Sequence, residues 1–443
     1  MLLIGNGRVV TRDAQAPYFS DGAVAVSGET IAAVGPLAQL QEAYPQAEFL
    51  DARGGVIMPG LINAHTHIYS ALARGLSLRG YHPATFRQVL EGMWWAIDRK
   101  LDADATRKSA AATILDCIRM GVTTIFDHHA SYGEIPGSLF AIAEEARRLG
   151  MRCCLCYEVS DRDGAQKCAE AIRENGEFAR YAAKDPSDMV KAMFGLHAPF
   201  TLSDATLDRC VRENDGVTGF HVHVSEGMDD VYDSLRNHGR RPVQRLQDHG
   251  ILGPKTIAGH CIHVNPAEME ILCQTETMVV NNPQSNMSNA VGVSPVLQLL
   301  AKGVLVGLGT DAYTHDMLES AKAALCVQRL NACLPDVAFG ETAQMLFVNN
   351  ARIAARYFQK PLGVLRPGAA ADVIVMDYKP YTPFDAHNVD GHMLFGMSGR
   401  QCRTTVINGK VLYRDGAFTL VDEEAENAAI CETAQALWGR LNG

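Results

Sequence analysis

Between Gly60 and about Tyr357 the chain repeats one rhythm: a short apolar run, then a helical stretch. Helical periodicity is clearest over 105–120, 138–149 and 318–333. Strands that alternate with helices form parallel pairs, because a parallel connection needs a long crossover. Eight candidate strands are countable, ending near His67, His129, Val159, Pro199, Glu226, Cys261, Asn286 and Asp311. Eight βα units close into a (β/α)8 barrel of about 250 residues, and the window fits with insertions. An open doubly wound sheet is the alternative, but no Gly-rich phosphate loop follows the first strand.

The ends of the chain read differently. Leu3–Val10 and Ala23–Val26 near the start, and Ala371–Met376 and Thr405–Leu412 near the finish, are strand-like, with Asn408-Gly409 as a tight hairpin turn. The expected organisation is α/β: residues 1–58 as the first part of a small β-sandwich, 59–360 as the catalytic TIM barrel, and 361–443 as the second part of the sandwich plus a C-terminal helix. The 443 residues are 47% hydrophobic, enough for such a core without disulfides.

Barrel chemistry sits at the C-terminal strand ends, and four such ends carry metal-type or proton-transfer residues. His65-Thr66-His67 places two imidazoles on one strand face, a chelating pair for a borderline metal. His221-Val222-His223 repeats the pattern; His223 is nearer the strand end, and His221 lies one layer deeper. Glu226 follows three residues later, so the strand must end or twist near Ser225 for it to face the mouth. His260 falls at the sixth strand's end, and Asp311 closes the apolar run 306–310. Each has an ordinary reading by itself, such as a helix cap for Asp311; their joint placement at successive strand ends does not.

This series resembles the amidohydrolase superfamily. The stretches 56–67 and 363–372 carry the likeness too, as do 94–99, 127–131, 197–201 and 285–289. Within the superfamily the chain is similar to the branch of guanine deaminase, S-adenosylhomocysteine deaminase and the triazine hydrolases, and most of all to SsnA-type aminohydrolases. The resemblance implies one divalent cation, Zn2+ first and Fe2+ second, on His65, His67, His223 and Asp311. It implies Glu226 as proton shuttle and His260 as the histidine that contacts water and substrate, with Asp311 sharing in proton transfer. Two-metal relatives carry a bridging Lys or Glu at the fourth strand's end; here that place holds His197, which points to one metal. His197, Asn286, His128, His129, Tyr69 and Tyr313 are the expected substrate contacts. His128 and His129 are adjacent, so only one can face inward. Trp94 and Trp95 are read as helix packing in preference to substrate stacking.

The implied reaction is hydrolysis of a carbon–nitrogen bond in a small nitrogen heterocycle, a deamination of a purine-like ring. Opening of a cyclic amide and displacement of chloride from a triazine use the same residues, and a catalytically silent metal-binding assembly protein is the reading from another class. Net charge is −10, which excludes the basic footprint of a nucleic-acid binder. No signal peptide or membrane span is expected, so the location is read as cytoplasmic; a homo-oligomer is left open. Cys153, Cys154 and Cys156 are expected to pack in a strand as reduced thiols and not to bind metal.

Overall fold

The computed structural model describes residues 1–443. Its eight barrel strands are Leu61–Thr66, Val122–His129, Arg152–Tyr157, Val190–Ala192 continued by Phe194–Leu196, Phe220–Val224, Ile257–His260, Met278–Asn281 and Val306–Leu308. All neighbouring pairs are parallel. The fourth strand breaks at Met193, which divides the ladder into a four-stranded and a five-stranded sheet. Two isolated parallel bridges, Val159 to Leu196 and Thr66 to Asp311, join their edges into a ring.

Seven strand ends fall within about three residues of the positions read from sequence. The seventh is a correction: the strand stops at Asn281, and Asn286 lies on the helix Pro283–Ser288. Pro283 stands at the first helical position, where a missing N–H costs nothing.

Cys153 and Cys156 lie three residues apart in a strand and so face opposite ways. Cys153 packs in the outer core between strands and helices, whereas Cys154 and Cys156 join Phe126, Met193 and Ile257 in a separate apolar cluster. All three thiols are free and buried.

Both chain ends contribute to one nine-stranded sheet. Its joint is the antiparallel pairing of Val56–Pro59 with Val373–Met376. Asn408 and Gly409 both have positive φ, 50° and 77°, the signature of the tight hairpin turn. A Cβ on Gly409 would stand 1.8 Å from the carbonyl oxygen of Gly28, so close approach also demands glycine there. Arg152 of the third barrel strand pairs with Asp372 of the terminal sheet at 2.9 Å, both buried. No helix is long and apolar enough to cross a membrane.

Candidate active site

The strand ends bring His65, His67 and His223 together, with donor atoms all within 4.8 Å of one another; His65, His260 and Asp311 form an overlapping group. Three of these ends turn through left-handed backbone: Ser225, His260 and Asp311 have φ of 50°, 67° and 56°. Such conformations cost energy in non-glycine residues and concentrate at functional sites. The turn at Ser225 lets Glu226 face the cavity that His223 also lines. Asp230 holds that turn, accepting the Ser225 and Phe200 backbone N–H groups at 2.7 and 3.0 Å. Gly309 serves the eighth strand end, where a Cβ would stand 2.8 Å from the His65 carbonyl oxygen.

The histidine tautomers indicate what the cluster could hold. Nδ1 of His67 lies 2.5 Å from the His128 carbonyl oxygen, and Nδ1 of His223 lies 2.8 Å from that of His197. A carbonyl only accepts, so both Nδ1 atoms carry hydrogen and, in the neutral rings, both Nε2 atoms present lone pairs. These Nε2 atoms face each other at 3.2 Å. Nε2 of His65 is buried without a hydrogen-bond partner. Asp311 Oδ1 completes the group, 2.9 Å from His67 Nε2 and 3.9 Å from His65 Nε2. Lone pairs converging with a carboxylate are what a divalent cation requires, and three imidazoles with one carboxylate match a borderline metal. His221 lies one layer beneath, its Nε2 2.8 Å from Nδ1 of His65.

Electrostatics agree for three of the imidazoles, His67 being the exception. Burial and mutual repulsion hold His65, His221 and His223 well below the usual histidine range, in the neutral form that ligates metals. Burial works against charge on His67 too, yet Asp311 and Glu158 raise it to about 9. Despite its burial, Asp311 is held below the carboxylate range, chiefly by His67. Glu226 differs: burial pushes it up to about 7, with His260 opposing.

His260 Nε2 stands 3.5 Å from both Glu226 Oε2 and Asp311 Oδ2. Ser285 donates to Asp311 Oδ2 at 2.6 Å. The cavity above is lined by Tyr69, His197 and Tyr313 among the expected contacts, and by Trp94 and Trp95, which sequence reading assigned to packing. Leu90–Trp94 forms a π-helical turn, a local irregularity frequent at functional sites.

Three expected substrate contacts are placed elsewhere. His128 points into the barrel, its Nε2 3.1 Å from the carbonyl oxygens of Leu196 and His221, and is fully buried. His129 faces the other way, beside Tyr69 and Tyr157. Asn286 touches His260 and does not line the cavity. Sequence reading also missed Glu158, a cavity-lining carboxylate just past the third strand. The signal was available: it follows Tyr157 at a strand end, as Asp311 follows the eighth.

Comparison with known proteins agrees with this architecture. The amidohydrolase family model matches residues 56–412, and an imidazolonepropionase-like composite domain of bacteria matches 22–47. A 5'-deoxyadenosine deaminase of Methanosarcina barkeri is 30% identical over 100% of this chain and 99% of its own. A 5-methylthioadenosine/S-adenosylhomocysteine deaminase of Thermococcus sibiricus is 32% identical over 82% and 84%. Among solved structures, a zinc-bound adenosine deaminase of Xanthomonas campestris superposes with a TM-score of 0.86 at 24% identity, covering 99% of this chain and 98% of that one. The zinc complex of atrazine chlorohydrolase from Arthrobacter aurescens gives 0.82 at 22% identity, covering 99% and 100%. With its parallel barrel, its sheet of both termini and a matched span from Val56 to Leu412, the chain belongs to the amidohydrolase family.

Proposed function

We propose that this protein is a metal-dependent aminohydrolase that removes an amino group from a purine-like nitrogen ring. The observation that carries this reading is His260 Nε2 set 3.5 Å from Glu226 and from Asp311, beside converging imidazole lone pairs. The named deaminases among the relatives support it. The ligands in this reading are His65, His67, His223 and Asp311, holding one cation, Zn2+ before Fe2+. A cation bound there would lower the pKa of a bound water molecule to about 7.

Glu226, held near 7 by burial, takes a proton from the attacking water and delivers one to a ring nitrogen. The water oxygen bonds to the amino-bearing carbon as the ring double bond opens onto that nitrogen. His260 orients this oxygen through Nε2. Asp311 accepts the second water proton, which passes to the amino group; the carbon–nitrogen bond breaks as the carbon–oxygen double bond forms, and ammonia leaves an oxo ring. His197, Tyr69 and Tyr313 confine the ring, and Trp94 and Trp95 close the cavity against water.

The finer assignments belong to the same proposal: a member of the SsnA-type branch, working in the cytoplasm on a small heterocycle, with residues 59–360 as the catalytic barrel between 1–58 and 361–443. The test incubates metal-loaded protein with amino- and oxo-purines, pyrimidines, pterins and triazines, scored for ammonia and ring absorbance, beside elemental analysis. Ammonia release with an intact ring and close to one metal per chain is the expected result. Chloride release, ring opening, no turnover, or two essential metals would overturn it.

A further inference from the structure

Glu158 is a carboxylate without a task in the mechanism above. Its backbone is pinned: its N–H donates to His129 at 2.8 Å, and its carbonyl accepts the Tyr132 hydroxyl at 2.7 Å. The side chain is only 3% exposed and lines the reaction cavity. His128 Nδ1 lies 3.4 Å from one oxygen, without hydrogen-bond alignment; His197 Nε2 and Arg162 lie 3.7 and 3.9 Å from the other. Despite burial, these basic neighbours favour the ionised carboxylate, and its oxygens keep accepting capacity toward the cavity they line.

A second metal does not explain this carboxylate. Glu158 does form close groups with His67 and His128, and with His197 and His223. Each group, however, borrows His67 or His223. Their Nδ1 atoms are committed to carbonyls and their Nε2 atoms to each other's cluster, so neither has a nitrogen to spare.

What remains is the substrate. The Glu158 carboxylate reaches within 4.8 Å of a ring nitrogen of His67 in one group and of His223 in the other. That is about the span of one ring, so the group it meets belongs to the ring that carries the scissile bond and not to a distant substituent. No Lys or Arg lines this inner cavity, while Glu158, Glu226 and Asp311 do, which disfavours an anionic substrate.

Resting on the aminohydrolase reading, we propose that Glu158 is a specificity residue that accepts a ring N–H next to the amino-bearing carbon. Glu226 needs an unprotonated ring nitrogen beside that carbon, and Glu158 needs an N–H. Both demands are met by a cyclic guanidine, the unit in neutral 2-amino-4-oxo rings such as guanine and pterin. A 6-aminopurine offers a ring nitrogen on one side of its reacting carbon and only carbon on the other. Sites built to receive a substrate N–H reject analogues that lack it.

The experiment measures kcat/KM of the metal-loaded enzyme on guanine and pterin against adenine and 5'-deoxyadenosine, for the native chain, Glu158→Gln and Glu158→Asp. The native chain is expected to prefer the 2-amino-4-oxo rings. Glu158→Gln should lose about 10- to 100-fold on them, mainly in KM, with a clearly smaller loss on 6-aminopurines and unchanged metal content. Glu158→Asp keeps the charge but retracts it, and should lose selectivity in the same direction if the glutamine variant does not fold. Deamination confined to 6-aminopurines, or equal losses on both classes, would overturn the inference and leave the aminohydrolase reading standing. Metal loss in either variant would make Glu158 a ligand and also overturn it. No ammonia from any ring would remove the aminohydrolase reading and this inference together.

Discussion

Nδ1 of His260 lies 2.8 Å from the amide oxygen of Asn286, two residues of different strand–helix units. That oxygen can only accept, so it sets the hydrogen on Nδ1 and leaves Nε2 to work between Glu226 and Asp311. Asn286 is thus a positioning residue. Asn286→Leu should lower kcat by about 10- to 100-fold with metal content unchanged. Asn286→Asp retains the acceptor and should recover most of the rate. A leucine variant with native kcat would sink the assignment.

Glu226 and Asp311 both approach His260, but they should respond differently to loss of charge. Glu226→Gln is expected to keep its metal and bind a ring inhibitor while kcat falls about 10²-fold or more. Asp311→Asn should lose metal and activity together. Single-turnover kinetics paired with elemental analysis separates the two; metal loss in Glu226→Gln would reassign that residue as a ligand.

Burial sets the pH dependence. Glu226 accepts a proton only when ionised, and its carboxyl is raised to about 7. The rate is therefore low below that pKa and rises as pH passes through it. The acidic limb of kcat/KM should lie well above the ordinary glutamate value of about 4.3, shifted down from 7 to the extent that a bound cation favours the carboxylate. It should disappear in Glu226→Gln. A limb at the ordinary value, or one that persists in the variant, would contradict the assignment.

His223 and His221 share a strand face but have separate surroundings. His223 Nε2 faces His67 at 3.2 Å, whereas His221 touches the far nitrogen of His65 at 2.8 Å. Loss of metal is expected in His223→Ala. His221→Ala should retain it with affinity lower by about 10- to 100-fold, as for groups that only orient a ligand. Dialysis followed by metal titration checks this, and the reverse order would exchange the two roles.

Arg152 and Asp372 tie the barrel to the terminal sheet. Both are buried, and Asp372 also accepts the Asn408 backbone N–H at 2.8 Å. Removing only the cation leaves a buried carboxylate unpaired, so Arg152→Met should destabilise by about 3–5 kcal/mol. The double variant Arg152→Met with Asp372→Leu should recover much of that loss. Urea unfolding of the single and double variants measures the coupling.

Local pattern was enough to read the alternating strands and helices, because strand and helix periods are properties of neighbouring residues. It also placed His65, His67, His223, Glu226, His260 and Asp311 at strand ends, where a barrel assembles its site, and identified Asn408-Gly409 as a turn. Other relationships depended on residues distant in the chain. Asn286 serves His260 because a helix follows the seventh strand earlier than its apolar run suggests. His128 turns inward because two carbonyls from the fourth and fifth strands receive its Nε2. A third strand read as running on to Val159 hides Glu158 within it; the strand ends at Tyr157, and closure of the ring sets Glu158 beside His128, His197 and Arg162. The amino-acid sequence determined which side chains could reach the barrel mouth, since that follows from period and strand ends; only the tertiary structure decided which carbonyl, imidazole or carboxylate each would meet, since those contacts exist only once the strands have paired around the barrel.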